Sequence, residues 1–169
     1  VVAISNNSGS VALSRARQAE IPALHISNIT HPNAADQDQA ILTALRDHQV
    51  DLVITAGYMK KLGPLTLDYY RGKIINVHPS LLPRYGGHGM YGLRVHQAVI
   101  DNGDQETGIS VHWVEADYDT GPVIAQKIIA VAADDTAETL AAKVLDEEHS
   151  LLVSTLASLI QSPSLETNP

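Results

Sequence analysis

The sequence predicts an α/β protein with an open, mostly parallel sheet, an antiparallel pair of strands towards the C terminus and a long final helix. Three observations support this prediction. Short apolar runs alternate with amphipathic helical patterns through the first half of the chain. Two strand patterns, at 107–115 and 123–131, are joined by a connection too short for a helix. An apolar stripe at helical spacing then runs from Leu140 to Leu156.

The first half of the chain is predicted to form β-α-β units. Its predicted strands are 1–5, 23–26, 51–56 and 73–78, and its predicted helices are 8–19, 34–48 and 65–70. The apolar residues of the strand at 51–56 are continuous instead of alternating, which is typical of a strand buried on both faces. Right-handed crossovers between such strands predict parallel pairing in a Rossmann-like sheet.

The pattern changes after residue 90. A helix is predicted over 91–102, and the strands at 107–115 and 123–131 are predicted to pair antiparallel. Asp135 is predicted to cap the final helix, with Glu138 completing a capping box. We therefore predict a single domain over 1–162 and a frayed tail over 163–169.

Composition limits the classes of function. The chain has 169 residues, of which 44% are hydrophobic and 18% charged, and it contains no cysteine. These values fit a globular domain and exclude collagen-like chains, wholly disordered chains, disulfide frameworks and thiol nucleophiles. The net charge of −8 argues against nucleic acid as the main partner. Without an apolar run of about 18 residues or a signal-peptide pattern, we expect a cytoplasmic protein with no membrane partner.

Two polar side chains end the predicted strand at 73–78. Side chains two positions apart share a face, so Asn76 and His78 are expected to point the same way at an edge where α/β sheets bind ligands. An amide donor beside an imidazole suits attack at a carbonyl, because the amide stabilises the oxyanion and the imidazole moves a proton. Alternatively, Asn76 caps the strand and His78 is a hydrogen-bonded core residue.

An acidic loop follows the strand at 107–115. Glu115, Asp117 and Asp119 occur within five residues, and a carboxylate near His78 would orient the imidazole and favour its protonated form. The alternative is a solvated acidic turn. The histidines lack the spacing of a metal-binding helix, so no metal site is predicted.

Two further segments could each bind an anion. The stretch 5–10 lies between a strand and a helix, where its N–H groups could bind an anion or simply form a turn with a helix N-cap. Lys60 and Lys61 follow the strand at 51–56 and either meet an anionic group or are exposed lysines.

In chain order, the sequence resembles the folate-dependent formyltransferases over nearly its whole length. The element Asn-x-His-Pro-Ser-Leu-Leu-Pro, followed about forty residues later by Asp-x-Gly, is specific as a pair although its fragments are not. The segments that carry the resemblance are Ile4–Asn6, Ala56–Met59, Asn76–Pro83, Gly108–Val114 and Asp119–Ile124.

The resemblance implies transfer of a formyl group from 10-formyltetrahydrofolate to the amine of glycinamide ribonucleotide, without a metal. It implies catalytic roles for Asn76, His78 and Asp119 and a substrate contact for Glu148. The residues that it implies for folate binding are Met59, Lys60, Lys61, Leu62, Asn76, Glu115, Ala116, Asp117, Tyr118 and Asp119.

Two parts of the family pattern are missing: an N-terminal strand with its phosphate-holding Gly-Ser-Asn loop, and an arginine near Ala34 that contacts folate. We therefore expect an N-terminally truncated chain in which strands 1–5 and 51–56 either leave a gap or pair directly. An exposed sheet edge would favour association, so a homodimer is one expected state. The alternative functions are a formyltetrahydrofolate hydrolase, a methionyl-tRNA formyltransferase fragment and a non-catalytic folate-binding remnant.

Overall fold

The computed structural model describes residues 1–161, so the predicted tail at 163–169 lies outside the described residues. Contacts within the chain divide it into two compact units. The first comprises residues 1–54 and 58–74, and the second comprises residues 55–57 and the chain from Ile75 onward. The single domain over 1–162 stays a prediction.

The first unit begins with a β-α-β arrangement. β1 (Ala3–Ser5) pairs in parallel with β2 (Ala23–His25), and α1 (Val11–Gln18) lies between them in the chain. The hydroxyl of Ser10 accepts a hydrogen bond of 3.2 Å from the N–H of Leu13. The segment before α1 is therefore a turn with a helix N-cap, one of the two alternatives for it.

α2 (Ala34–Asp47), β3 (Val53–Thr55) and α3 (Pro64–Tyr69) follow in the chain, and the last residue of β3 belongs to the second unit. The side chain of Ile54 is 43% exposed, so the prediction of a strand buried on both faces was wrong. β3 is the edge strand of its sheet, which explains the exposure.

The second sheet has the strand order β3-β4-β5-β6, with β4 (Ile74–His78), β5 (Glu106–Trp113) and β6 (Val123–Ala130). β5 pairs antiparallel with both β4 and β6. The predicted antiparallel pair of C-terminal strands is therefore confirmed. Among the described residues β1 and β3 belong to different sheets, which is the gap expected as one of two outcomes.

Two helices pack on each other in the second unit, α4 (Leu93–Asp101) and α5 (Ala137–Gln161). The long final helix is confirmed, but its predicted cap was wrong by one residue. Thr136 accepts a hydrogen bond of 3.3 Å from the N–H of Thr139 and donates its own N–H to the Thr139 hydroxyl at 2.9 Å. The reciprocal pair replaces the capping box predicted at Asp135.

The core of the second unit fixes the direction of the β4 side chains. Ile75 and Val77 are buried in the core, whereas Asn76 between them is only half-buried. The other core residues are Val95, Val99, Ile109, Val111, Leu140 and Val144. The predicted α/β fold class is confirmed. Within the part of the chain that the structure describes, every helix is too short or too polar to cross a membrane.

Candidate active site

Asn76 is held at both ends of its amide. β4 and β5 pair so that Asn76 lies directly opposite His112. The Asn76 Nδ2 atom is 3.1 Å from the Nε2 atom of His112, and the Thr55 hydroxyl donates to Asn76 Oδ1 at 2.8 Å. The amide has two N–H groups, and within residues 1–161 His112 is the acceptor found for one of them.

His112 is only 2% exposed and is not among the site residues predicted from the sequence. Its Nδ1 atom is 2.8 Å from the carbonyl oxygen of Trp113. A carbonyl can only accept, so Nδ1 carries a hydrogen, and Nε2 of the neutral ring accepts from Asn76. The register of β5 against β4 was the missing signal, because it pairs this histidine with the predicted asparagine.

His78 is buried at the end of β4, with both ring nitrogens facing protein acceptors. The Nε2 atom donates to the carbonyl oxygen of Tyr85 at 2.8 Å, and Nδ1 lies 3.6 Å from Oδ2 of Asp119. Burial lowers the pKa of His78, although Asp119 and the Tyr85 carbonyl act to raise it. Asp119 thus acts in the expected direction, but burial outweighs it and the pKa of His78 lies below its ordinary value.

The structure brings Asp119 next to His78 from the loop between β5 and β6. Its carboxylate accepts a hydrogen bond of 2.9 Å from the N–H of Gly87, and its Oδ1 atom is 3.6 Å from Nε2 of His112. Burial acts to raise the pKa of Asp119, but the two imidazole rings and the Gly87 N–H together hold it below its ordinary value. The carboxylate is therefore ionised when His78 is neutral.

A second loop closes on His78 through its main chain. Tyr85 has a φ of 55°, a left-handed conformation that non-glycine residues adopt rarely. Its hydroxyl donates to the Asp104 carboxylate at 2.6 Å and accepts from the Asn102 amide at 2.7 Å. Anchoring the ring in this way holds the Tyr85 carbonyl against His78.

A further imidazole is buried on α4. His96 is 4% exposed, and its Nδ1 atom has no hydrogen-bond partner within residues 1–161. Burial lowers the pKa of His96, and interaction with His78 lowers it further. In the described part of the chain, no group of three or more histidine, aspartate or glutamate side chains could hold a metal ion.

The residues predicted to border folate after β3 lie in the first unit. Lys60 and Lys61 line a cavity of about 520 Å³, while Met59 is 57% exposed. A cavity of this volume is in the range of small-molecule sites. Its lining also includes Asn6, Asn28, Gln37, Asp38, Tyr58 and Leu65.

Asp38 joins two walls of this cavity. The side chain is 3% exposed, and its carboxylate accepts hydrogen bonds from the N–H of Leu65 at 2.8 Å, the N–H of Thr66 at 3.1 Å and the hydroxyl of Thr66 at 2.6 Å. A residue of α2 thereby satisfies the first N–H groups of α3. No local sequence pattern predicts this contact, because the cap comes from outside the helix.

The other predicted contacts with folate and substrate are on the β5–β6 loop and on α5. Residues 115–118 are exposed in the β5–β6 loop, and Glu148 is half-buried on α5. Burial raises the pKa of Glu148, opposed by the neighbouring His149. Among the described residues, no hydrogen bond or ion pair joins Glu148 to the cluster at Asn76 and His78.

The site combines an amide donor, a buried imidazole and a carboxylate on an α/β scaffold. This combination is typical of proteins that carry out acid–base chemistry at a carbonyl. The model of a family described as "Formyl transferase" matches residues 1–156. The chain therefore belongs to the formyl transferase family.

Similar proteins carry one specific name. The chain is 39% identical over 165 residues to a chloroplastic phosphoribosylglycinamide formyltransferase of Vigna unguiculata, covering 95% of this chain and 51% of that protein. It is 38% identical over 148 residues to the phosphoribosylglycinamide formyltransferase of Bacillus subtilis, covering 88% and 73%. The chain thus spans about half the length of the plant relatives that it matches.

A solved structure shares the fold. The phosphoribosylglycinamide formyltransferase of Bacillus halodurans is 34% identical and superposes with a TM-score of 0.86, covering 94% of this chain and 79% of that one.

Proposed function

We propose that this chain transfers the formyl group of 10-formyltetrahydrofolate to the amine of glycinamide ribonucleotide. The observation that carries the proposal is the convergence of Asn76, His78 and Asp119, three side chains distant in the sequence, within one cluster of the second unit. The names of the similar proteins support the choice of reaction.

Asn76 would stabilise the negative charge that develops on the formyl oxygen when the amine attacks. One of its N–H groups is bound to His112, and the second remains for that oxygen. A donor fixed before the reaction stabilises such charge without reorganising, and loss of one oxyanion donor typically costs about 100- to 1,000-fold in kcat.

His78 and Asp119 would handle the proton. Because Nε2 of His78 donates to the Tyr85 carbonyl, the proton that the ring gains or loses sits on Nδ1, which faces Asp119. The neutral ring can accept a proton from the attacking amine, and the carboxylate stabilises the resulting imidazolium. As the new C–N bond forms and the bond from the formyl carbon to folate breaks, His78 returns that proton to the folate nitrogen.

The bound folate supplies the activated formyl group, and the folate-binding residues that the family resemblance implies stay proposals within each unit. Lys60 and Lys61 line a cavity of suitable size with Leu62 and Met59 beside them, and the loop 115–119 offers main-chain groups next to the catalytic carboxylate. Glu148 is proposed to contact glycinamide ribonucleotide, since a half-buried carboxylate can accept hydrogen bonds from its amine.

Several coarser proposals accompany this assignment. The family match spans both units, which supports one catalytic domain over 1–162. The net charge of −8 and the absence of cysteine favour a cytoplasmic enzyme that acts on small molecules, not nucleic acid.

Because three side chains supply the oxyanion and proton steps, no metal is assigned. β6 is an edge strand with Ile128 62% exposed, which favours a homodimer.

The test is formyl transfer measured by mass spectrometry of the nucleotide product, with and without glycinamide ribonucleotide. We expect donor consumption to require the amine, His78→Ala to abolish most of it, and His31→Ala, a histidine outside the cluster, to leave it unchanged. Donor consumption that ignores the amine would favour the hydrolase. Folate binding without any turnover would favour a non-catalytic remnant.

A further inference from the structure

The hydrogen bonds around Asn76 form a chain with a fixed direction. The Thr55 hydroxyl donates to Asn76 Oδ1, the Asn76 Nδ2 group donates to His112 Nε2, and His112 Nδ1 donates to a main-chain carbonyl. We propose that His112 and Thr55 are positioning residues that fix which end of the Asn76 amide faces the substrate. The inference rests on the proposed function, because it concerns the same formyl transfer.

The direction of this chain is set at its far end. The carbonyl of Trp113 has no hydrogen to give, so His112 must place its hydrogen on Nδ1 and present a lone pair from Nε2. If the Asn76 amide were reversed, Oδ1 would face that lone pair at 3.1 Å and two acceptors would oppose each other in a buried position. His112 therefore selects the orientation in which Nδ2 is on its side.

Orientation matters because the two ends of an amide act oppositely on a developing oxyanion. The nitrogen end donates to it, whereas the oxygen end repels it. In the orientation selected by His112, the second N–H of Asn76 stays free for substrate. The Thr55 hydroxyl has one hydrogen and two acceptors in reach, Asn76 Oδ1 at 2.8 Å and the Ile75 carbonyl at 3.2 Å. It donates to the nearer Oδ1 in the orientation that His112 selects, and so supports that orientation without selecting it alone.

One competing arrangement involves the Asp119 carboxylate, and the distances disfavour it. A protonated His112 would carry a hydrogen on Nε2, donate it to Asp119 and force the Asn76 amide to reverse. The separation between His112 Nε2 and Asp119 Oδ1 is 3.6 Å, beyond hydrogen-bond length, whereas Asn76 Nδ2 is 3.1 Å away.

The orientation can be read directly, without activity. Long-range nitrogen–proton NMR on the ¹⁵N-labelled chain at neutral pH should show the Nδ1–H tautomer for His112 and a slowly exchanging side-chain N–H for Asn76. An Nε2–H tautomer, or an imidazolium at that pH, overturns the proposal. This measurement decides the orientation even if the chain transfers no formyl group, so it is separate from the test of the proposed function.

The positioning role itself is tested by two pairs of variants. Thr55→Val removes the hydroxyl at nearly constant volume and should lower kcat about 5-fold with KM unchanged, while Thr55→Ser keeps the wild-type value. His112→Leu should lower kcat by about 10- to 100-fold, and His112→Gln, which retains an acceptor, should recover part of the loss. Three outcomes contradict the positioning role: a change in KM without a change in kcat, equal losses of kcat in His112→Gln and His112→Leu, or an unchanged kcat in Thr55→Val. Should the His112 variants fail to fold, the threonine pair decides.

Discussion

Asp38 provides the sharpest test of how the first unit is held together. Its carboxylate makes three hydrogen bonds to the start of α3, two of them to Thr66, which is 0% exposed. In Asp38→Ala the buried N–H and hydroxyl of Thr66 lose these partners. A hydrogen bond to a charged group contributes about 1.5–3 kcal/mol, so the lower limit for two bonds predicts a loss of about 3 kcal/mol. Leu65 is 44% exposed, so its N–H can bond to water and adds little.

The assay is urea denaturation followed by far-ultraviolet circular dichroism. With an m value of about 2 kcal/mol per molar, the expected loss corresponds to a fall of about 1.5 M in the midpoint. Asp38→Asn keeps an oxygen acceptor for Thr66 and should lose only about 1 kcal/mol. Asp47→Ala is the matched control, because it removes an exposed carboxylate from the same helix and should change stability by less than about 0.5 kcal/mol.

A loss below about 1 kcal/mol in Asp38→Ala would refute this reasoning, because it would mean that the start of α3 is satisfied in another way. An equal loss in Asp47→Ala would also refute it, since the effect would then follow the charge of α2 and not the three bonds.

Three further outcomes are expected. His78→Ala should lower kcat by about 100- to 10,000-fold while folate affinity, measured by titration, changes little; equal losses would indicate a structural role. Asp119→Asn should shift the acidic limb of the pH–rate profile to lower pH, because the carboxylate raises the pKa of His78; a limb that does not move contradicts that role. Gly121→Ala should unfold the β5–β6 hairpin, since its Cβ would lie 1.9 Å from the Trp113 carbonyl oxygen, whereas Gly9→Ala, whose nearest contact is 3.7 Å, should leave the thermal midpoint unchanged.

The sequence predicts those features of the site that depend only on the geometry of a single strand. Alternation along a strand is enough to put Asn76 and His78 on one face, and the structure has both at the end of β4. The convergence of Asp119 on His78 was expected from the acidic loop and the family resemblance together. Their catalytic roles stay predictions.

Features that depend on which strands are neighbours were not predictable in this way. Ile54 lies in a continuous apolar run, yet it is exposed because β3 is at a sheet edge, and no local pattern reveals that position. His112 looks like one more alternating strand residue until β5 is placed beside β4 in register. Leu145 belongs to the predicted apolar stripe of α5 but is 51% exposed, because the core-facing stripe is narrower than the sequence suggests.

The group that holds Nε2 of His78 is a peptide carbonyl, and this has a consequence for mutagenesis. No replacement of the Tyr85 side chain deletes that oxygen, so a survey that truncates polar side chains one at a time would miss the contact. The position of the Tyr85 carbonyl is set by the backbone and by the hydrogen bond from the Tyr85 hydroxyl to Asp104. In related sequences, we expect substitutions at position 104, which holds the Tyr85 ring, to change the pKa of the histidine at position 78.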